Sequence, residues 1–548
     1  MYNIRVVAVL LWLIGACTGA SAAESFQPPQ LHAAQINWRE ALADLAAGSA
    51  DPATQPAAAL TRLNDAVAGY FPNIANSAVP VLLPIDSDAL LRDQAAGETQ
   101  AIESYLAGFK PTEFFLPGPS GYDAVFAFQP GGVPGFTDIK LAYPVLVTIS
   151  GFAFLYELAS PVGRIEMPLP DLDADFPGLR RQILESALRY SFERYGVPYV
   201  VSIQCHDRPQ TMRRLSCRNA DRIAQRFLRA LRLAGGTEPA AAATIKAPVL
   251  ERPKDVSTVF TYYPAGSLIP GSGMKGRNGK PDATVYARIR FPLADAPAYA
   301  NSQSFMHWGD CDQTGRRPWP RRKDAPYRCR VNSKPLVFNE AAPENYSYPW
   351  RDNFCEHRHF FVGQCPSGQG HQGQDIRPAT CKLRNDGADR CEAYLDDTVA
   401  VRDGMILREN WHESFLLHVN TANERLRFRY LHMHPRQMNQ ARIFSGRAVR
   451  EGDVLGKVGN FNRRDRGTSY HLHFEMEVPT RDGWVRVNPY MTLVAAYEHL
   501  IQARGVEIMA PDEDPEDVTN SAEATASKAE RPRKKTSRLF PKGRKKRR

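Results

Sequence analysis

Apolar positions fall at helical spacing in the first part of the chain and at strand spacing towards its end. WREALADLAAG (38–48) and AALTRLNDAVAGYF (58–71) are Ala-rich with helical periodicity. IKLAYPVLVTISGFAFLYEL (139–158) is rich in β-branched and aromatic residues and predicts paired strands, with Gly151 as the punctuation between them. In GLRRQILESALRYSFERYG (178–196), Leu179, Ile183, Leu184, Ala187, Leu188 and Phe192 predict a helix. VPYVVSIQC (197–205) reads as a buried strand, and CRNADRIAQRFLRALRLAGG (217–236) as a helix closed by Gly235-Gly236. STVFTYYP (257–264) and ATVYARIRFPL (283–293) read as short strands. In SYHLHFEMEV (469–478), strand alternation puts His471 and His473 on one face and turns Leu472 and Phe474 to a core.

With 548 residues, the chain exceeds one compact core, and two to four domains are expected. The pattern partitions it into a helical segment at 24–78, an α+β region at 79–236 and an Ala/Pro-rich linker at 237–255. A β-rich stretch at 256–345, a histidine-bearing strand domain at 346–500 and a polar tail at 501–548 follow. The fold class is therefore multidomain α+β: a C-terminal antiparallel β-sheet domain preceded by a mixed α/β region.

Residues 1–23 carry a short apolar run, Val6–Ile14, before small residues, and read as a secretory signal peptide with Ala20-Ser21-Ala22 at the cleavage site. Cys17 as a lipoprotein cysteine and an uncleaved anchor are the competing readings. Export to the periplasm or cell envelope follows from the first two. The remaining eight cysteines agree with it. Nearest-neighbour disulfides would join Cys205 to Cys217, Cys311 to Cys329, Cys355 to Cys365 and Cys381 to Cys391; a structural zinc site is the alternative, weakened by the lack of any C-x-x-C.

The net charge of +10 sits in the tail. Residues 528–548 alone carry +11, leaving 1–527 at −1. In an exported chain such a tail suits anionic lipid, lipopolysaccharide or cell-wall carboxylates, or stays solvated; no nucleic acid partner is expected. The acidic and basic composition after residue 510 cannot bury a core.

GQGHQGQDIRP places His371 four residues before Asp375, with glycines that let the backbone come close. His371, Asp375 and His473 would supply three N/O ligands to one Zn2+ ion, leaving a fourth position open. FRYLHMHP adds His432 and His434. Pro435 ends that strand, so His432 is the better candidate for handling the proton of an attacking water. His357, His359, His412, His418 and His434 are read as surface or supporting groups. Glu475 is read as a partner of His473 or part of a polar sheet face. Trp308 and Trp319 form either a saccharide or peptide platform or part of a stapled loop.

In this order, GHQGQDI, YLHMHP, EGDVLGKVGN and YHLHFEMEV resemble the LytM/lysostaphin-type zinc peptidases of bacterial cell walls, over residues 365–492. The resemblance implies a LytM-type peptidase domain at 346–500, an antiparallel sheet with a zinc in its groove, and peptidoglycan peptide stems as substrate. It implies His371, Asp375 and His473 as zinc ligands and His432 and His471 as the catalytic pair. AVRDGMILREN and VRVNPYMTL resemble the family's second strand and its exit. Two departures stand out: the long insert 376–399 with Cys381 and Cys391, and Arg463, Arg464 and Arg466 before a Tyr470 where the family often has proline. The expected activity is cleavage of D-alanyl–diaminopimelate cross-links, with glycine bridges as the alternative substrate. Family members that lose site residues instead bind and activate a cell-wall amidase, and a wall-binding module with a structural metal is a third possibility.

Overall fold

The computed structural model describes most of residues 26–509; 159–171 and 302–329 are the longest stretches inside that span left undescribed. The signal segment, the basic tail, Trp308, Trp319, Cys311, Cys329, His359 and His412 lie outside the described residues. Among the described residues no helix is long and apolar enough to cross a membrane.

The Ala-rich segments form helices Trp38–Gly48 and Pro56–Val67, the second burying Leu60, Leu63 and Val67. A six-stranded antiparallel sheet follows, built from β1 (Lys110–Gly118), β2 (Gly121–Phe128), β3 (Val145–Phe152), β4 (Arg180–Leu184), β5 (Ala187–Arg194) and β6 (Val197–Gln204). Its order is β1-β2-β3-β6-β5-β4. The helix Cys217–Arg229 packs Ala220, Ile223, Ala224 and Phe227 into the core and is tied to the end of β6 by the Cys205–Cys217 disulfide. The polypeptide then turns into a strand, Arg232–Gly235, paired with Val81–Leu83, rather than continuing the helix to the glycines.

Two expectations fail here for physical reasons. The helix expected over 178–196 is the β4–β5 hairpin. Leu184, Leu188 and Phe192 are four apart, a spacing that fits one helix face and one strand face equally well. The apolar Leu188, Tyr190 and Phe192 alternate with the polar Arg189 and Ser191, and pairing with Val197–Gln204 buries both faces, so the period of two decides it. The expected break at Gly151 is also displaced, since Gly151 lies inside β3. A Cβ there would meet the rings of Tyr122 and Tyr199 at 2.8 and 2.9 Å, so the glycine serves close ring packing and the chain breaks at Ala153.

The linker carries no helix or strand among its described residues, yet it is held. Arg252 forks onto the buried carboxylate of Glu498 and lies over the Phe26 ring. Residues 283–293 are an extended strap, not the expected ladder strand. Val285, Ala287, Ile289, Phe291 and Leu293 are buried, and the backbone hydrogen bonds go to scattered partners such as Gln27, Val399 and Val401. The strand expected in 257–264 is present as Val259–Tyr262.

The second sheet is antiparallel throughout. Its strands are β7 (Ala298–Ala300), β8 (Gln374–Pro378), β9 (Gly404–Arg408), β10 (Phe415–Asn420), β11 (Arg425–Leu431), β12 (Ala448–Val449), β13 (Leu472–Thr480) and β14 (Gly483–Val487). The order is β7-β8-β13-β11-β10-β9-β12, with β14 beside β13. On central β13, Leu472, Phe474, Met476 and Val478 are fully buried, and Phe474 packs on Phe428 and Tyr430. Its other face carries His471, His473, Glu475 and Glu477, also buried. The helix Tyr490–Ile501 closes the unit, with Tyr497 stacked among Trp350, Phe260 and Phe291.

The two sheets meet at a charged seam. Asp123 of β2 is buried and lies 2.9 Å from His418 Nδ1, Arg425 Nη2 and Arg427 Nη2. Trp484 covers the cluster, edge-on to Phe152 and 3.8 Å under the Arg427 guanidinium. His418 is therefore not the surface or supporting group expected of it, but a fully buried residue of this seam. Burial, with Arg427 beside it, pushes its pKa down to about 4.

Unfolding exposes His418 to its ordinary pKa of 6.5, so the unfolded chain binds the extra proton below that value. Stability is expected to be full above pH 6.5 and to fall by up to about 3 kcal/mol as pH drops towards 4. Urea unfolding across this range will show it, and His418→Gln will flatten the slope relative to wild type. Gly151→Ala is expected to lose about 1–3 kcal/mol by overpacking Tyr122 and Tyr199, read from the same curves.

Candidate metal and proton-transfer site

All five expected site residues converge at one end of β13. β8 and β13 pair with Asp375 opposite His473, and β11 brings Leu431 opposite His473, so His432 emerges beside it. His371 precedes β8 in a loop whose backbone is pinned to the Cys355–Cys365 disulfide loop: His371 N–H donates to Glu356 O, and its carbonyl accepts from Cys355 N–H.

His371 Nε2, Asp375 Oδ1 and His473 Nδ1 form a triangle with sides of 2.9, 3.0 and 3.3 Å. A tetrahedral zinc with bonds of about 2.0–2.1 Å sets its ligands roughly 3.3 Å apart. Asp375 Oδ2 is buried without a hydrogen-bond partner, an orphan that a cation would satisfy. The three donors can therefore hold one metal ion, and the N/O set suits zinc.

Each imidazole is locked by an acceptor on its outer side. His371 Nδ1–H donates to Asn353 O at 2.9 Å, which leaves Nε2 as the ligand lone pair. His473 Nε2–H donates to Glu475 Oε1 at 3.1 Å, which leaves Nδ1 inward. Glu475 is thus a partner of His473, and it is itself held by Arg486 at 2.7 Å and Arg429 at 3.6 Å. His432 Nδ1–H donates to Phe461 O at 2.9 Å, and His471 Nδ1–H to Ser469 O at 2.8 Å. Both rings keep an unprotonated Nε2. His471 Nε2 lies 3.3 Å from Asp375 Oδ1, and the His432 and His471 rings are 4.8 Å apart.

The turn after Val454–Lys457 is the jig for that second pair. Gly459 O accepts from His471 N–H, and Phe461 N–H donates to the His432 carbonyl. A Cβ on Gly459 would stand 2.2 Å from that carbonyl, so only glycine fits. His432 itself takes a left-handed backbone, φ +71°.

Burial lowers the pKa of His371, His471 and, most strongly, His432. Burial also disfavours a charged His473, but Asp375 and Glu475 outweigh it and raise the ring to about 9. Burial would raise Asp375, yet His371 and His471 hold it well below the ordinary carboxylate range. Without a metal, the His473 Nδ1 proton bridges Asp375 and His371.

The other histidines stand apart. His434 Nδ1 caps the helix Pro435–Gln440, and its Nε2 lies 3.2 Å from Asp465. His357 is exposed. Three disulfides, Cys205–Cys217, Cys355–Cys365 and Cys381–Cys391, follow the nearest-neighbour pairing and fit folding in an oxidising, extracytoplasmic compartment. Beside the last, a groove of about 780 Å³ is lined by Tyr394, His434, Arg436, Asn460, Asp465 and Arg466. It adjoins His432 through Asn460 and Phe461. Arg463, Arg464 and Arg466 are exposed, and Tyr470 is buried with its hydroxyl on Asp396. Sequence reasoning missed Asn353, whose carbonyl holds His371 and whose side-chain Oδ1 takes the Asp375 N–H at 3.1 Å. A main-chain acceptor leaves no signature in sequence.

Because the His473 pKa of about 9 puts a proton where a metal would bind, zinc loading at pH 7 is expected to release about one proton per ion. Calorimetry in buffers of different ionisation enthalpy measures it; zero release would contradict the bridging proton.

No known family model matches the chain, and no curated protein does. Among solved structures, a chain described as "a putative glycyl-glycine endopeptidase lytM" from Ruminococcus gnavus matches at 21% identity, covering 26% of this chain and 49% of that one, with a TM-score of 0.17. The match spans about half of that chain, and its superposition is too loose to carry the fold.

Proposed function

We propose that this chain is an exported zinc-dependent endopeptidase of the LytM/lysostaphin type that hydrolyses peptide cross-links in bacterial peptidoglycan. The observation that carries the reading is the convergence of His371 Nε2, Asp375 Oδ1 and His473 Nδ1 within 3.3 Å of one another, beside two further histidines with free Nε2 atoms. Zinc held by those three atoms would supply Lewis-acid activation of a water and of the scissile carbonyl. The chain's own groups handle the proton. His432 and His471 are kept neutral by burial, so their Nε2 atoms are ready acceptors at neutral pH. The proton taken from the attacking water goes to the leaving amine as the amide bond breaks. The protonated ring meanwhile offers an N–H to the developing oxyanion, and Asp375 beside His471 steadies its positive charge. The polar groove beside His432 is a suitable seat for a charged peptide stem. D-alanyl–diaminopimelate linkages are the proposed bond. The signal-like residues 1–23 and the three disulfides support export, and the basic tail is proposed to meet anionic envelope surfaces.

The test is digestion of purified sacculi, with new amines counted and products identified by mass. Wild type is expected to bind one zinc and to release new amines in a chelator-sensitive way. His371→Ala, Asp375→Ala and His473→Ala should lose both zinc and release. His432→Ala and His471→Ala should keep zinc and lose roughly 100-fold or more in turnover. A zinc-loaded wild type that frees no amine, yet stimulates an added amidase, would replace this reading with the non-catalytic activator.

A further inference from the structure

The face of the second sheet that carries the histidines continues as a row of buried and half-buried charges. Below His473 on β13 come Glu475 and Glu477; opposite them on β11 stand Arg429 and Arg427, in register Arg429↔Glu475 and Arg427↔Glu477. Arg486 of β14 faces Glu477 from the other side. The ion pairs run continuously. His473 Nε2 meets Glu475 Oε1 at 3.1 Å, and Glu475 Oε2 meets Arg486 Nε at 2.7 Å. Arg486 Nε lies 3.8 Å from Glu477 Oε1, and Glu477 Oε2 lies 4.0 Å from Arg427 Nη1. Arg427 Nη2 ends the row on Asp123 Oδ1 at 2.9 Å, and Asp123 belongs to the first sheet.

Charge counting shows why that last rung matters. On the second sheet's side, the paired groups are four guanidiniums (Arg425, Arg427, Arg429, Arg486) and three carboxylates (Glu409, Glu475, Glu477), and the first sheet adds the buried guanidinium of Arg189, whose charge also acts on Glu477. Asp123 supplies the fourth carboxylate. In a dry seam an unpaired guanidinium is costly, so without Asp123 the Arg427 head would turn to Glu477. Glu477 would then hold Arg486 less tightly, and Arg486 would draw harder on Glu475. A carboxylate more strongly bound to arginine is a weaker acceptor for His473 Nε2–H, and its ring becomes a poorer metal ligand.

We propose that Asp123, on the N-terminal sheet, is a positioning residue for the metal ligand His473, acting through Arg427, Glu477, Arg486 and Glu475. The proposal rests on the metal site named above, but not on the bond it cuts. The N-terminal region is then part of the metal centre's support rather than an appended module.

Zinc affinity of the full-length chain, measured by competition with a chromophoric chelator, tests this without any assay of cleavage. Glu475→Gln is expected to weaken zinc binding roughly 10- to 100-fold, and Asp123→Asn about 3- to 10-fold. The double variant should fall short of the product of the two, because both act on the same row. Tyr199→Phe is the structural control: it deletes a buried hydrogen bond from the same sheet to Pro80 O and should leave zinc affinity unchanged. If Asp123→Asn does not fold, Glu477→Gln at the middle rung takes its place, with the same expected loss. Wild-type affinity in the folded rung variant, multiplicative losses in the double variant, or an equal loss in Tyr199→Phe would each overturn the proposal. A wild type that binds zinc but cleaves no wall material would defeat only the proposed function.

Discussion

The site depends on one constraint: an imidazole has two nitrogens, and the fold must decide which one carries the hydrogen. Four acceptors make that choice here, the carbonyls of Asn353, Phe461 and Ser469 and the carboxylate of Glu475. Each occupies the outer nitrogen and leaves a lone pair for the centre. Three of the four are main-chain groups, so the protonation pattern is set by backbone path more than by side-chain chemistry. The disulfide-braced loop before His371 and the turn at 459–461 are there to deliver those carbonyls.

The same economy of burial shapes the rest of the molecule. A strand with four apolar residues on one face and four ionisable ones on the other cannot leave its second face bare and keep it dry. The first sheet covers part of it, and the cover has to bring its own compensating charge. Asp123, His418 and the guanidiniums around Trp484 are that compensation. Buried pairs of this kind contribute little net stability over apolar packing, but they penalise any other docking of the two sheets.

The grouping was legible motif by motif. His471 and His473 declare a shared face through strand alternation, and His371 and Asp375 lie four apart in one glycine-flanked stretch; that these two stretches meet, across 98 and 102 positions, came from the order of the motifs and not from local pattern. Pro435 marked a change of element: the His432 ring lies beside His471, whereas His434 caps the helix that this proline opens. The seam was not legible. His418 reads as an ordinary strand residue, and nothing near it in the chain announces Asp123, 295 positions away. The 178–196 hairpin was misread because four-residue spacing satisfies two periodicities, and only the buried Tyr190 between Leu188 and Phe192 separates them. The strap at 283–293 shows the converse, a true strand alternation whose hydrogen bonds never join a ladder.

Gly459 has a consequence for how this region can diverge. Its missing side chain lets one short turn grip the backbones of both His432 and His471, while three exposed arginines follow within seven positions on the same loop. The rigid and the variable are therefore neighbours: the exposed arginine side chains can be exchanged without loss of packing, while the glycine beside them admits no replacement. Changes of charge can accumulate at the rim of this loop without disturbing the histidine geometry at its root.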